Sequence, residues 1–399
     1  MALPIQAPER GPRRSTPGPE LVRVAGTHRE MGRAQGRALG SRVRDAERAL
    51  RSAEAFRLLK PRLLPGAIFA SVARGRAEAL LERPLARHRP ELLERMLGLA
   101  EGAGVPPRIV YFVQGAEVLL AAVDWRVRPP PLAACSAVAV TGSRARGGPL
   151  VHHNFDYPEL VRPLLVVRES RPARGHASLE LTATALAGAI DGVNEKGLAI
   201  AYNYGFPTDS SPEPVPLTLT ISAALEACAT TREAIDFVSR QPRTGGALLQ
   251  IADASGDVAA LELSNTRAAV RRPAGAEQLL HHANCYSTPA LLEVEVPRDG
   301  VYSKRNVAAL RGERIHLSSE ARDARLGELL SARPGPLGVD DLREIFSDHG
   351  GAAEGTDLTL CRHGPYWSTV AMIQLTPRER GLRIALGPPC RSEPVEFAL

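Results

Sequence analysis

The hydrophobic pattern of this chain changes at a run of three prolines, residues 129–131. Before them, apolar residues recur at the spacing of helices; from Cys135 onward, they alternate with period two in short runs. Proline has no backbone N–H and a fixed φ, so such a run interrupts regular structure and marks a boundary. A chain that passes from helices to strands interrupted by helix pairs is typical of an α+β protein with stacked sheets.

The part of the chain before the prolines is predicted to be helical. Thr27 and Glu30 match a capping box, which favours a helix from there to about residue 57. Further helical runs are predicted at about 73–103 and 107–122.

After the boundary, the pattern predicts short strands and a few helices. The strands are predicted at 136–141, 149–155, 163–169, 178–183, 186–191, 197–203, 247–253, 257–263, 268–272, 369–375 and 381–386. The helices are predicted at 217–227, 231–240, 322–331 and 339–346.

The charge distribution argues against a nucleic-acid partner. The net charge is +6, but residues 1–60 alone hold 13 Lys or Arg and 6 Asp or Glu, so the basic excess is local. It is threaded through an amphipathic helix, and no zinc-finger, basic-zipper or RNP-type motif accompanies it. No apolar run of about 18 residues predicts a membrane span, and the N-terminal residues lack the apolar core of a secretory signal. We therefore expect a cytoplasmic protein with no nucleic-acid or membrane partner.

The five cysteines do not match a pattern of disulfides or of metal ligands. Their number is odd and their spacing wide, which argues against a disulfide framework. Cys361 and His363 alone are too sparse to predict a zinc site. The histidines lack the His-Glu-x-x-His spacing of a metal-dependent hydrolase. We expect no metal ion and no other cofactor.

Cys135 is the candidate nucleophile. It stands between Ala134 and a predicted strand, and the next predicted strand leads into Asn154 and Asp156. The later histidines are scattered, and no motif marks one of them as a base. A cysteine at the start of a chain can use its own α-amine, whose unperturbed pKa is about 7.7–8.0. That amine exists only if the Ala134–Cys135 bond is cut, by attack of the thiol on the Ala134 carbonyl and hydrolysis of the resulting thioester.

Several blocks of sequence resemble the C45 peptidase family, a group of autoproteolytic acyltransferases and hydrolases with an N-terminal nucleophile. The resemblance runs from about residue 21 to the C-terminus, and it is specific because several blocks follow one another in the same order. The blocks are residues 22–32, 98–105, 135–136 with 154–156, 192–198 with 203, 283–286, 303–305, 360–363, 369–371 and 387–390.

The resemblance implies roles for five residues. Cys135 would be the nucleophile and, once cleaved, would carry the base. Asp156 would accept a hydrogen bond from the Cys135 amine. Asn284, assisted by Asn203, would donate to the oxyanion. Arg305 would hold Asp156 by charge-assisted hydrogen bonds.

The chain departs from the family pattern at three positions. Ala134 stands before the nucleophile where the family usually has glycine. His153 replaces an arginine, which exchanges a permanent cation for a ring with an unperturbed pKa of about 6.5. If His153 contacts the thiol, activity is expected to follow its titration. Cys285 replaces a histidine after Asn284, which is expected to alter a substrate contact or a contact behind it.

The fold that the resemblance implies is a four-layer αββα sandwich preceded by a helical pro-segment. The predicted division is a disordered lead-in at 1–19, the pro-segment at 20–134 and the catalytic domain at 135–399, with the two cleaved chains staying together as a heterodimer. The implied activity is hydrolysis of a small-molecule amide, rather than a peptide backbone, through a Cys135 thioester. Two alternatives stay open: transfer of the acyl group to an amine acceptor, and a non-cleaving, inactive binding relative.

Overall fold

The computed structural model describes residues 18–61, 63–275 and 277–399. The lead-in predicted at residues 1–19 lies almost wholly outside the described residues. The helices are α1 His28–Ser52, α2 Glu54–Leu59, α3 Gly66–His88, α4 Pro90–Ala103, α5 Pro107–Gln114, α6 Ala116–Ala121, α7 Leu217–Ala227, α8 Thr231–Ser239, α9 Pro289–Leu292, α10 Leu317–Ser331 and α11 Val339–Phe346. The strands are β1 Leu21–Gly26, β2 Ser136–Val140, β3 Leu150–Tyr157, β4 Leu165–Pro172, β5 Ser178–Ala183, β6 Asp191–Asn194, β7 Ala199–Gly205, β8 Gly246–Ala252, β9 Val258–Leu263, β10 Ala268–Arg271, β11 Leu279–His282, β12 Ser368–Thr376, β13 Gly381–Leu386 and β14 Val395–Ala398.

The strands form two sheets. The large sheet has the order β1-β4-β5-β6-β7-β8-β9-β10, and the small sheet has the order β11-β2-β3-β12-β13-β14. Apart from β1, which runs parallel to β4, neighbouring strands within each sheet are antiparallel.

The two sheets pack face to face and are covered by helices on their outer sides. Val151 and Phe155 of β3 share one buried cluster with Ile200 and Leu249 of the large sheet. Helices α7 and α8 contact the large sheet, and α10 and α11 share a second buried cluster with β2 and β3 of the small sheet. The predicted α+β class and four-layer αββα order are therefore confirmed.

Structure and sequence pattern differ in several elements. The first predicted helix is divided at Ala53, and the second is divided between α3 and α4 at Arg89. Proline disfavours a helical conformation in the residue before it, and Pro90 follows Arg89 directly. The strand predicted at 186–191 is irregular, and β6 begins only at its last residue. Among the described residues, no helix is long and apolar enough to cross a membrane.

Residues 18–134 are joined to the rest of the fold by a strand as well as by helices. Strand β1 pairs with β4 and forms one edge of the large sheet. Behind it, α1 and α4 pack against each other closely at four glycines. A Cβ atom on Gly32 or Gly36 of α1, or on Gly98 or Gly102 of α4, would collide with backbone of the other helix. These glycines therefore set the distance between the two helices.

A buried polar network connects α1 and α4 to the large sheet. Arg168 of β4 donates to Glu180 Oε2 over 2.6 Å and to Gln35 Oε1 of α1 over 2.9 Å. Arg95 of α4 donates to Ser170 Oγ over 2.7 Å, and Ser170 donates to Glu180 over 3.0 Å. All five side chains are buried. Burial and the charge of Arg168 lower the pKa of Arg95 to about 9. The carboxylate of Glu180 compensates both cations, so the network depends on it.

We expect Glu180→Gln to lower the free energy of unfolding by about 3–5 kcal/mol, because it leaves Arg95 and Arg168 buried without their counter-charge. Urea unfolding followed by circular dichroism measures the loss. The matched control is Glu159→Gln, which removes an exposed ion pair with Arg162 and should cost less than about 1 kcal/mol. Equal losses in both variants would contradict the role of the network.

Candidate active site

Cys135 is fully buried at the start of the small sheet, directly before β2. Its backbone N–H donates to Asn284 Oδ1 over 2.9 Å. Its carbonyl oxygen accepts a hydrogen bond from Arg322 Nη1, which also donates to Ser136 Oγ over 2.7 Å. The polar groups of the nucleophile's backbone are therefore fixed by side chains from distant parts of the chain.

The residues before Cys135 are held equally firmly. The N–H of Ala134 donates to the backbone carbonyl of Asp156 over 3.0 Å, and its carbonyl accepts from Arg362 Nη1 over 3.2 Å. Trp367 Nε1 donates to the carbonyl of Pro131 over 3.2 Å. The Arg362 guanidinium lies over the Trp367 ring, 4.8 Å from its centroid. A donor thus lies at the Ala134 carbonyl oxygen, the position where negative charge would develop on attack by the thiol.

Asp156 lies on β3 and is fully buried. Its Oδ1 accepts from Thr369 Oγ1 over 2.7 Å. Its Oδ2 is 3.7 Å from Arg362 Nη1 and 4.0 Å from Arg322 Nη1, and it has no hydrogen-bond donor among the residues that the structure describes. Burial raises the pKa of Asp156, against the opposing effect of the two arginines. One carboxylate oxygen is therefore left to accept a further hydrogen bond.

The role predicted for Arg305 is wrong. Arg305 lies exposed in a surface turn, whereas the guanidinium groups beside Asp156 belong to Arg322 of α10 and Arg362 of the loop before β12. Burial, together with the charge of Arg362, lowers the pKa of Arg322 to about 10. The sequence block at 303–305 gave no information on burial. No role was assigned to Arg322 or Arg362 from the sequence, although Arg362 lies in the block at 360–363.

Asn284 contacts the backbone of Cys135, and Asn203 contacts the residue before Asn284. Asn284 Oδ1 accepts from the Cys135 N–H and from Arg322 Nη2, the latter over 2.8 Å, which orients its amide. Its Nδ2 donates to the carbonyl of Tyr204 over 2.8 Å, and Asn203 Nδ2 donates to the carbonyl of Ala283 over 2.8 Å. Both amides are buried and oriented, but their observed donor bonds go to backbone carbonyls.

His153 forms a buried pair with a residue that the sequence did not point to, Asp191. His153 Nδ1 is 2.6 Å from Asp191 Oδ2, while Asp191 Oδ1 accepts from the Tyr202 N–H over 2.9 Å. Burial alone disfavours the charged ring, but the Asp191 carboxylate and, after it, the Cys135 sulfur outweigh this effect and raise the pKa of His153 to about 10. The ring therefore titrates well above its unperturbed pKa of about 6.5 and carries a positive charge at neutral pH.

Cys285 is partly buried and its thiol contacts a histidine. Its Sγ is 3.3 Å from His316 Nδ1, whose Nε2 is 2.7 Å from the carbonyl oxygen of Val296. Burial raises the pKa of Cys285 to about 11, so the group is a neutral thiol near neutrality.

An apolar cavity lies between residues 46–132 and the strands that follow Cys135. Phe155 of β3 lines it and also packs in the buried cluster that contains Cys135. Glu117 of α6 also lines the cavity and accepts from Tyr202 Oη over 3.1 Å. Burial raises the pKa of Glu117 to about 7. The cavity walls come from both sides of the predicted cleavage point.

We expect the pair of His153 and Asp191 to give a distinct pH dependence of stability. The folded pKa of His153 is above its unfolded value of about 6.5. The stability that it contributes is therefore fully present below that pH and is lost as the pH rises through about 10. Urea unfolding of the wild type and of His153→Gln, from pH 6 to pH 10.5, should show a difference that shrinks with increasing pH. A constant difference would contradict the assignment.

Residues 143–390 match the family described as acyl-coenzyme A:6-aminopenicillanic acid acyl-transferase, and the match begins shortly after Cys135. No curated protein matches the chain significantly.

Three solved structures illustrate how distant the structural similarities are. A Caenorhabditis elegans N-acylethanolamine-hydrolyzing acid amidase ortholog is 14% identical, with a TM-score of 0.44 over 61% of this chain and 93% of that one. The C2A mutant of conjugated bile acid hydrolase from Clostridium perfringens is 12% identical, with a TM-score of 0.39 over 66% and 97%. Penicillin V acylase from Agrobacterium tumefaciens is 15% identical, with a TM-score of 0.37 over 63% and 83%.

The family match covers well over half of the chain, including the sequence blocks from Asn154 to Cys390. It confirms the resemblance to the C45 group that the sequence predicted. The protein belongs to the acyl-coenzyme A:6-aminopenicillanic acid acyl-transferase family.

Proposed function

We propose that this protein cuts its own Ala134–Cys135 bond and then acts as a cysteine amide hydrolase of the N-terminal nucleophile type. The observation that carries the proposal is the buried Oδ2 of Asp156, which lacks a donor among the described residues and lies beside the arginines that hold the junction. A buried carboxylate oxygen without a donor is costly. An α-amine released at Cys135 would supply that donor.

The proposed self-cleavage uses groups already in contact with the junction. The Cys135 sulfur attacks the carbonyl carbon of Ala134, and Arg362 Nη1 stabilises the developing oxyanion. The C–N bond then breaks, its nitrogen takes a proton and becomes the Cys135 amine, and the acyl group remains on sulfur as a thioester. Water hydrolyses that thioester, which leaves a carboxylate on Ala134 and restores the thiol.

In turnover, the same sulfur would attack the carbonyl of the substrate. The Cys135 amine takes the thiol proton, and Asp156 orients the amine. Asn284 and Asn203 are the proposed donors to the substrate oxyanion, because each Nδ2 carries a second N–H beyond the one bonded to backbone. His153 contributes a fixed positive charge.

The apolar cavity beside Phe155 supports a small-molecule amide with an apolar acyl group as the substrate. The acyl-enzyme would be resolved by water. Transfer to an amine acceptor is the second candidate, and the membership in an acyl-transferase family favours it. Both routes share the thioester and differ in the group that enters second. A cytoplasmic location remains part of the proposal.

The two proposed fragments would remain together as a heterodimer. Strand β1 is hydrogen-bonded into the large sheet, and the network around Glu180 is buried between the fragments. We place the boundary between the pro-segment and the catalytic domain at the junction of Ala134 and Cys135.

The first test is the intact mass of the denatured protein. We expect the wild type to give chains of 134 and 265 residues, while Cys135→Ala stays at 42.7 kDa. Cleavage that continues in Cys135→Ala, or a wild type that stays whole, would count against the proposal. The second result would favour a non-cleaving relative.

The second test compares Arg362, which contacts the junction in the structure, with Arg305, to which the sequence resemblance assigned a role. Arg362→Gln removes the donor at the Ala134 carbonyl and should slow self-cleavage by on the order of 10²–10³. Arg305→Gln, on the exposed turn, should cleave at the wild-type rate. Time courses on denaturing gels measure both rates, and similar rates in the two variants would refute the role of Arg362.

A further inference from the structure

A cluster of four metal-binding side chains lies next to the active site. His349, Cys361, His363 and Cys390 each bring one donor atom to within 4.8 Å of the others; we call them the four-donor cluster. His363 Nε2 is 3.5 Å from the sulfur of Cys361 and 3.4 Å from the sulfur of Cys390. The rings of His349 and His363 are nearly perpendicular, with centroids 5.1 Å apart.

The donor set and the distances fit zinc. Two thiolates and two imidazoles are a common ligand set for a structural Zn²⁺ site. Bonds of about 2.3 Å to sulfur and about 2.0–2.1 Å to nitrogen place the donors of a tetrahedron about 3.4–3.8 Å apart. The two sulfur–nitrogen distances already fall at this spacing, and the 4.8 Å limit leaves only a small contraction for the rest.

A second observation points to a ligand at this place. His349 Nε2 is buried and has no hydrogen-bond partner among the described residues. A buried ring nitrogen without a partner is unfavourable. Coordination to a metal ion would satisfy it.

The cluster connects three separate parts of the chain. His349 follows α11, Cys361 and His363 precede β12, and Cys390 follows β13. Backbone contacts between these segments include the bond from the Cys361 N–H to the carbonyl of Asp348, at 3.1 Å. A metal ion would cross-link all three segments at one point.

Arg362 lies between two of the four ligands in sequence. Its side chain leaves the loop in the direction of the active site, where it donates to the Ala134 carbonyl and faces Asp156. We propose that the four-donor cluster binds one Zn²⁺ ion, which fixes the backbone on both sides of Arg362 and so positions its guanidinium at the cleavage junction. Because the protein supplies all four ligands, the site is structural and leaves no position for a substrate.

Another group of possible ligands, Cys285, Glu295 and His316, does not fit a metal ion as well. The guanidinium of Arg298 already lies 3.1 Å from Glu295 Oε2, so a cation occupies that side of the carboxylate. His316 Nε2 is engaged with the carbonyl of Val296.

Zinc binding can be measured without cleavage or activity. Reduced Cys135→Ala protein is loaded with Zn²⁺, desalted and analysed for metal content, and Co²⁺ replaces zinc for absorption spectroscopy. We expect one zinc per chain and the sulfur-to-cobalt charge-transfer bands of a tetrahedral thiolate site. Adding Cys390→Ser or His349→Ala should abolish stoichiometric binding. Adding Cys228→Ser, which removes a buried thiol outside the cluster, should change nothing.

The outcomes distinguish the metal site from the proposed cleavage. No zinc in the reduced protein, equal binding after Cys390→Ser, or a Cys361–Cys390 disulfide that excludes zinc would overturn the site. These results do not depend on Cys135.

The positioning of Arg362 rests on the proposed function and has its own test, in which Cys390→Ser in the otherwise wild-type chain should slow self-cleavage. If the parent protein binds zinc but Cys390→Ser still cleaves at the wild-type rate, only the positioning role is overturned. Circular dichroism checks that each variant is folded.

Discussion

The environment of Cys135 depends on two guanidinium groups removed from water. Arg322 and Arg362 are almost fully buried, and burying a cation costs several kcal/mol unless it is paired and hydrogen-bonded. Asp156 faces both guanidinium groups, and Asp357 Oδ1 also accepts from Arg362 Nη2 over 3.1 Å. The carbonyls of Ala134 and Cys135 accept further hydrogen bonds from the two arginines. The same contacts therefore compensate the buried charges and fix the backbone at the junction. Loss of Asp156 would remove the carboxylate that faces both cations.

The resemblance assigned roles to Cys135, Asp156 and Asn284 but not to the buried arginines beside them, although Arg362 stands in the block at 360–363. Cys135, Asp156 and Asn284 are brought together as predicted, although their catalytic roles stay proposals. Arg322, Arg362 and Asp191 come from a helix, a loop and the first residue of a short strand, with no spacing that links them. Arginine is also common in this chain, so composition could not single out the buried ones. The pKa of His153 depends on Asp191 across the two sheets, which no linear pattern contains.

The bounds of an element were predictable where one hydrophobic period runs through the whole element and turn residues flank it. Helices α7 and α11 have the predicted bounds, and β5 and β13 agree as well. Strand β1 was missed because its partner, β4, lies far along the chain and the pairing is parallel. Strands β11 and β14 are four residues long and lie at sheet edges, where hydrophobic alternation is weak. The proposed zinc ligands His349 and Cys390 were not grouped from the sequence, because they come from separate turns, after α11 and after β13, that meet only in the fold.

The parallel pairing of β1 with β4 also affects how the protein could refold. In an uncut chain, β1 returns to its edge position by a first-order process, since loop closure keeps it close. A cut at Cys135 would leave the native hydrogen bonds between the strands unchanged but would remove that tether. Unfolding would then release two molecules, and recovery would depend on their concentration. After the cut, the native protein would not readily form again once it had unfolded. Its lifetime would then be set by its unfolding rate.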